Sequence, residues 1–147
     1  MDLRLTEEQR ILTRTARSFL EEDTKGYSES LWKKMVDLGW TGLPIPEQFG
    51  GVGGDFFDLI LLLEEMGRAL VPSPFFPTVV LGALSILRWG TDRQRQDILP
   101  GIAKGTIKAT LAYIEGTFIR HDLSLIGLPA KRRSEEFVLD GRKLFVP

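Results

Sequence analysis

Residues 90–114 read GTDRQRQDILPGIAKGTIKATLAYI, and within them the spacing of apolar residues changes from helical to strand-like. Thr91 and Gln94 form a capping-box pair, which satisfies free backbone amides at the start of a helix. This helix is expected to end near Pro100 or shortly after it. Beyond Gly105, residues 109–114 read as a strand. Helices before this point and strands after it predict two modules, with their boundary near residues 103–108.

Upstream of this stretch, the sequence predicts four more helices. The first three have polar N-caps at Thr6, Ser28 and Asp55. Apolar residues recur in them at intervals of three and four, as on the buried face of a helix. The buried faces are expected to contain Leu12, Ala16, Phe19 and Leu20, then Leu31, Met35 and Leu38, and then Leu59, Leu62, Leu63, Met66 and Leu70. A fourth helix over about 78–89 is small and apolar nearly all round, which predicts burial on most sides.

Downstream, short strand signals follow one another. Residues 127–133 and 136–139 read as strands, and Asp140-Gly141 is a hairpin signal that would return the chain through 143–146. The predicted fold class is therefore mainly α. A helical bundle of about five helices spans residues 1–105, and the first strands of an incomplete β-domain span residues 106–147. So few strands cannot bury a face by themselves, and the chain reads as cut.

Composition excludes several classes of function. The 147 residues are 43% hydrophobic, which is typical of a domain with a core. Nineteen basic and twenty acidic residues give a net charge of −1 without a sustained basic face, so we expect no nucleic-acid partner. No cysteine and a single histidine make a metal site improbable. The sequence shows no signal peptide and no apolar run of membrane-spanning length, which predicts a cytoplasmic protein, or a protein of the mitochondrial matrix if it is eukaryotic.

Two local patterns resemble functional sites. The glycine-rich run at 50–54 lacks the spacing and the preceding strand of a dinucleotide-binding loop, because Phe56 stands at the sixth position from Gly51. A tight structural loop is the favoured interpretation. His121 and Asp122 have Ser124 nearby but no nucleophile elbow around it, so a polar loop is favoured there.

Carboxylate pairs occur only between sequence neighbours, at 7–8, 21–22 and 64–65. Neighbouring residues do not share a helix face, so none of these pairs forms an acid/base dyad, and solvated helix faces are expected. We therefore predict no catalytic residue in this chain.

Five motifs in order resemble the acyl-CoA dehydrogenase family. They are LTEEQ at 5–9, the segment from Trp32 through PEQFGGVG at 46–53, EEMGR at 64–68, the run GTDRQR at 90–95 through LPG at 99–101, and LDGRKLFVP at 139–147. Each motif is weak singly, but five in the right order over the whole chain are specific. The resemblance covers residues 1–147 and would continue beyond them.

The resemblance implies a three-part architecture: this helical domain, a β-barrel-like domain and a C-terminal four-helix domain, commonly assembled as tetramers. Members use FAD to oxidise an acyl-CoA thioester to the α,β-enoyl-CoA. A carboxylate of the C-terminal domain takes the α-proton, and this base is expected outside the present chain. The implied partners are an acyl-CoA substrate, an electron-transfer acceptor and other subunits of the same kind. Fatty-acid or sterol side-chain metabolism is the expected setting.

The resemblance also assigns site residues. The family's strand reading aromatic-x-x-Thr-Glu-Pro, which lies against the flavin, corresponds to 111–116, so Leu111, Tyr113 and Ile114 are the expected flavin contacts. Ile114 replaces the threonine and Gly116 the proline, which removes a hydroxyl hydrogen bond worth roughly 0.5–1.5 kcal/mol. The expected acyl-pocket residues are Thr78, Leu81, Gly82 and Ser85. Their small size equally permits close helix packing, which is favoured because pockets are few.

Three hypotheses therefore remain open. The first is a part of an FAD-dependent acyl-CoA dehydrogenase. The second is a flavin-poor, non-catalytic subunit of a heteromeric dehydrogenase, motivated by the altered 111–116 segment. The third is a free-standing helical interaction module, against which the exposed strand edges of an unfinished β-domain argue.

Overall fold

The computed structural model describes residues 4–23, 26–115 and 126–147. The chain divides into two compact units, Met1–Ala109 and Thr110–Pro147, which we call the helical unit and the second unit. In the described ranges, no helix is both long and apolar enough to span a membrane.

The helical unit begins with three capped helices. They are α1 (Glu7–Asp23), α2 (Glu29–Asp37) and α3 (Phe56–Arg68), with short 3₁₀ turns at Trp40–Gly42 and Glu47–Phe49 between α2 and α3. The N-caps are those predicted. The Gln9 amide donates to Thr6 Oγ1 at 3.2 Å, the Leu31 amide to Ser28 Oγ at 3.0 Å, and the Asp58 amide to Asp55 Oδ1 at 2.8 Å. Gly39, with φ of +76°, ends the turn after α2.

The predicted fourth helix forms, with a different start and winding. It begins at Phe76 as a π-helix (Phe76–Ala83) and continues as α4 (Leu84–Trp89). The π-helical half buries Thr78, Val79, Gly82 and Ala83, whereas α4 buries no residue fully and Trp89 is 78% exposed. The expectation of burial on most sides therefore holds for the first half only. Helix α5 (Asp92–Ala103) has the predicted Thr91–Gln94 capping box, and the mainly α fold class is confirmed.

Two apolar clusters form the core of the helical unit. The larger cluster joins α1, α2 and α3 through fully buried residues that include Leu20, Met35 and Leu62, and the smaller one places Ile45 against Leu99 and Ile102 of α5. Two of the predicted core residues lie elsewhere. Leu38 is 43% exposed and Leu70 is 85% exposed. Both lie past the last residue of their helix, and Leu70 has a φ of +50°, so helical spacing no longer determines where they point.

The second unit contains one hairpin. Strands β1 (Ala130–Arg133) and β2 (Glu136–Leu139) pair antiparallel, with Arg133 opposite Glu136 beside the turn. The turn is formed by residues 134–135, where Ser134 has a φ of +55°. The prediction that Asp140-Gly141 forms the hairpin turn is therefore wrong. The hairpin turn lies earlier in the chain, between β1 and β2, because these two strands pair with each other.

The two other predicted strands, 109–114 and 143–146, are not strands in the part of the chain that the structure describes. One backbone hydrogen bond joins them, from the Leu144 amide to the Ile114 carbonyl at 2.9 Å. Phe145, with a φ of +51°, interrupts the extended backbone at the next residue. A ladder of bonds therefore does not continue from this pair.

Candidate functional site

The glycine-rich loop folds back on the residues before it. The Val52, Gly53 and Gly54 amides donate to the carbonyls of residues 42, 45 and 43 at 2.9, 2.9 and 2.8 Å. A β-carbon on Gly51 would overlap the Ile45 carbonyl group. These amides already have protein acceptors, so they are not free to cradle a phosphate. This geometry agrees with the prediction of a structural loop.

Glu65 of α3 departs from the expected solvated helix face. It is only 2% exposed, and its carboxylate accepts bonds from Arg17 Nη2 at 2.6 Å and from Arg68 Nε at 2.9 Å. The Arg17 guanidinium, assisted by Arg68, lowers the pKa of Glu65 to about 2, although burial acts in the opposite direction. The partner three residues along the helix, Arg68, is the sequence signal that could have revealed this pair. Its role is structural, because Arg17 joins α1 to α3 through this carboxylate, and Arg68 of α3 also reaches Glu21 of α1 at 3.1 Å.

The four residues predicted to line an acyl pocket lie on the π-helix and the start of α4. Thr78 is fully buried, and its hydroxyl accepts the Ala109 amide at 3.3 Å. Gly82 is buried where a β-carbon would lie 2.8 Å from Ala109 Cβ. Leu81 and Ser85 are half-buried. Close packing therefore explains the small residue at Gly82, and acyl contact by these four residues stays a prediction.

An apolar cleft that sequence reasoning missed opens beside the same helix. It has a volume of about 500 Å³ and lies between the end of α3 and the start of the π-helix. Its lining is mainly apolar and consists of Leu63, Met66, Gly67, Leu70, Val71, Ser73, Phe75 and Phe76. Leu70 follows the end of α3 and Phe76 begins the π-helix, so helical spacing does not predict that both side chains are exposed here.

The predicted flavin contacts lie in the second unit. Leu111 is 41% exposed, whereas Tyr113 and Ile114 are half-buried. Next to them, Glu115 accepts the Gly127 amide at 2.7 Å and the Leu128 amide at 3.1 Å, and it forms an ion pair with Lys143. The Lys143 ammonium, followed by the Gly127 amide, lowers the pKa of Glu115 below its usual value. Glu115 therefore links its own segment to residues 127–128 and to Lys143.

The fit of this segment to a flavin is partial. Ile114 is apolar and donates no side-chain hydrogen bond, and its carbonyl already accepts the Leu144 amide. The carboxylate of Glu115 is occupied by its own partners. This segment can therefore offer a flavin apolar surface and backbone groups, and the side chain of Ile114 takes no part in the chemistry. Gly116, His121, Asp122 and Ser124 lie outside the described residues.

The described residues contain no group of three or more His, Asp or Glu side chains suited to hold a metal ion.

Comparison with known proteins gives the family. The model of the acyl-CoA dehydrogenase N-terminal domain matches residues 6–106. This match covers more than half of the chain, and the five helices lie within it. The chain belongs to the acyl-CoA dehydrogenase family.

Relatives and solved structures resemble nearly the whole chain. Acryloyl-CoA reductase (NADH) of Anaerotignum propionicum is 29% identical over 159 residues, which cover 99% of this chain and 40% of that protein. Butyryl-CoA dehydrogenase of Megasphaera elsdenii superposes with a TM-score of 0.84 and 27% identity over 99% of this chain and 42% of that one. The Tcur3481–Tcur3483 steroid ACAD superposes with a TM-score of 0.77 and 30% identity, over 99% and 41%. The chain thus spans about two fifths of the length of these proteins.

Proposed function

We propose that this chain is the N-terminal part of an FAD-dependent acyl-CoA dehydrogenase that oxidises an acyl-CoA thioester to the α,β-enoyl-CoA. The observation that carries the proposal is the family match over residues 6–106. In this proposal residues 1–105 form the helical domain and residues 106–147 begin the β-domain. The catalytic base lies outside the chain.

The role of this chain is to shape and position. Thr78, Leu81, Gly82 and Ser85 border the acyl group, while 111–114 present backbone and apolar surface to the flavin. Bound FAD supplies the hydride acceptor. Holding thioester, base and cofactor in one water-poor slot is the physical requirement of such a reaction.

The proposed substrates are acyl-CoA thioesters of fatty acids or sterol side chains. Two similar structures support this choice, since one is named a butyryl-CoA dehydrogenase and the other a steroid ACAD. We further propose a cytoplasmic homo- or hetero-tetramer that passes electrons to a separate acceptor.

The test is a reduction assay on the full-length protein. Purified protein is mixed, without oxygen, with butyryl-CoA and with a steroid side-chain CoA thioester, and the flavin absorption band and the enoyl-CoA product are followed. Bleaching of the band together with the formation of enoyl-CoA is expected for one of the two. A flavin-loaded protein that neither thioester reduces would contradict the proposed substrate class.

A second candidate function is that of a flavin-poor subunit in a heteromeric dehydrogenase. Ile114 favours it, because the hydroxyl of the family motif is missing at the expected flavin contact. The two-component name of the Tcur3481–Tcur3483 steroid ACAD is consistent with it. Co-expression with neighbouring dehydrogenase-like genes tests this candidate. It predicts one stable complex that carries fewer flavins than subunits, whereas one flavin per subunit would rule it out.

A further inference from the structure

The last residues of the helical unit, 103–109, are held from several sides, and we call them the exit segment. The Ala103 carbonyl accepts the Thr41 hydroxyl at 2.8 Å, and the Gly105 carbonyl accepts Trp32 Nε1–H at 2.9 Å. The Ala109 amide donates to the Thr78 hydroxyl at 3.3 Å. A 3₁₀ turn, α2 and the π-helix therefore each hold a different residue of the exit segment.

Close packing restricts the same residues. Gly105 has a φ of +69°, and a β-carbon on it would overlap Val36 and lie 3.2 Å from Trp32 Nε1. At the other end, Ala109 lies against Gly82. Only glycine fits both the backbone angle and the space at position 105.

Lys108 makes several contacts at once with the residues at and just before the start of α2. Its Nζ donates to Tyr27 Oη at 2.9 Å and to the two Glu29 carboxylate oxygens at 2.8 and 3.0 Å. It also lies 5.6 Å from the centre of the Tyr27 ring and 5.3 Å from that of Trp32, within the range of cation–π attraction. The Glu29 hydrogen bond raises the pKa of Lys108, and the Lys108 hydrogen bond lowers that of Glu29. Lys108 therefore links the residue before Ala109 to Tyr27 and to Glu29 of α2.

We propose that Lys108 and Thr78 are positioning residues that hold the backbone immediately before Leu111 in one conformation, so that the flavin-contacting segment is ordered before the cofactor binds. This inference rests on the proposed function. Fixing the backbone of a residue costs conformational entropy, and a segment that is already ordered does not lose that entropy on binding. Thr78 then positions this backbone through its hydrogen bond with the Ala109 amide, in addition to its proposed place beside the acyl group.

The test compares four variants of the full-length protein with wild type and with one control variant. Lys108→Ala removes the contacts to Tyr27, Glu29 and Trp32, and Lys108→Arg retains the positive charge. Thr78→Val removes the hydroxyl at nearly constant volume, and Thr78→Ser retains it. Lys104→Ala is the matched control, because Lys104 is an exposed lysine in the same segment. Two quantities are measured for each variant: amide hydrogen exchange of residues 109–111, and the FAD dissociation constant of the flavin-stripped protein. Both are measured at one temperature, below the melting temperature of every variant.

Lys108→Ala and Thr78→Val are expected to speed exchange at Ala109 and to weaken FAD binding by about tenfold, the effect of leaving about one residue to be ordered on binding. Lys108→Arg, Thr78→Ser and Lys104→Ala should remain within about twofold of wild type, a difference too small to reflect the ordering of one residue. Unchanged exchange in Lys108→Ala would overturn the inference, and so would faster exchange with unchanged FAD affinity. Failure of the proposed function looks different: the wild type itself then binds no FAD, and the exchange measurement alone decides whether Lys108 and Thr78 order the exit segment.

Discussion

The two units of the chain are stabilised in different ways. The helical unit buries two apolar clusters, in which residues such as Leu20, Leu62 and Ile102 are completely covered. In the second unit, β1 is exposed along its whole length, and Phe137 and Leu139 of β2 are each 66% exposed. Its described residues include a two-stranded hairpin, the Leu144–Ile114 backbone bond and the contacts of Glu115. Apolar burial is therefore extensive in the first unit, and polar contacts are prominent in the second.

This difference implies where the stability of the chain lies. Apolar burial contributes roughly 25 cal/mol per Å² removed from water, whereas a single hydrogen bond contributes about 0.5–1.5 kcal/mol net. We therefore expect the helical unit to unfold cooperatively and the second unit to open locally at a lower free energy. Four predictions test this comparison.

The largest effect is expected from the core. Leu62→Ala should lower the free energy of unfolding by about 2–5 kcal/mol, because it removes fully buried methyl groups and leaves a cavity. The matched variant in the second unit, Leu139→Ala, should change it by less than about 0.5 kcal/mol, since this leucine is mostly exposed. Urea unfolding followed by circular dichroism measures both values. Equal effects of the two substitutions would refute the difference between the units.

A pair of glycines tests the packing of the helical unit. Gly51→Ala should destabilise it by about 1–3 kcal/mol, because the new methyl group overlaps the Ile45 carbonyl. Gly67→Ala should stabilise it by up to about 1 kcal/mol, since Gly67 lies inside α3 with open space around its α-carbon. Thermal melts of the two variants give the answer. A tolerated alanine at residue 51 would show that the loop adjusts and does not hold its residues rigidly.

Acid should weaken the helical unit through Glu65. Its pKa is about 2 in the folded chain against 4.5 for the free side chain, so its stabilisation is complete above about pH 4.5 and is lost as the pH falls towards 2. Glu65→Gln should be less stable than wild type at pH 7 by about 1–2 kcal/mol, a discounted value because both arginines are partly in water. The difference should shrink steadily below pH 4.5. Glu64→Gln, at the exposed neighbouring position, is the control, and a pH-independent difference for Glu65→Gln would contradict the assignment.

The smallest global effect is expected from Glu115. Glu115→Gln should speed amide exchange at Gly127 and Leu128, because the charged acceptor of both amides is lost. The melting temperature of the helical unit should stay the same. Exchange resolved to single residues by NMR measures the first quantity, and circular dichroism measures the second. A lower melting temperature would mean that the second unit supports the helical core.

The sequence predicted the helices because their signals are local. The cap at Thr6, the capping box at Thr91 and the stop at Gly39 involve residues within three or four positions, and the structure contains all three. The strands were less predictable, because pairing depends on distant residues. The turn at Ser134 has no glycine, whereas the Asp140-Gly141 signal was strong and wrong. Phe145 shows the same limit, since a positive φ at phenylalanine has no local sequence signal.

The site was predictable only as far as the motifs reached. The resemblance named Thr78 and Gly82, but their contacts with Ala109 join residues about thirty positions apart. The ion pair of Glu65 with Arg17 spans 48 residues, and the Trp32–Gly105 bond spans 73. Such pairs follow from packing of the whole unit and leave little trace in local spacing. The apolar cleft beside Phe76 was missed for the same reason.

The most direct test of the proposed function is the visible absorption spectrum of the full-length protein purified alone. Flavin bands at about one FAD per chain are expected. In this account the backbone and apolar surface of residues 111–114 are enough to bind FAD, although Ile114 lacks the hydroxyl of the family motif. Folded protein that stays colourless even after incubation with excess FAD would contradict the account of this chain as part of a flavin-binding dehydrogenase.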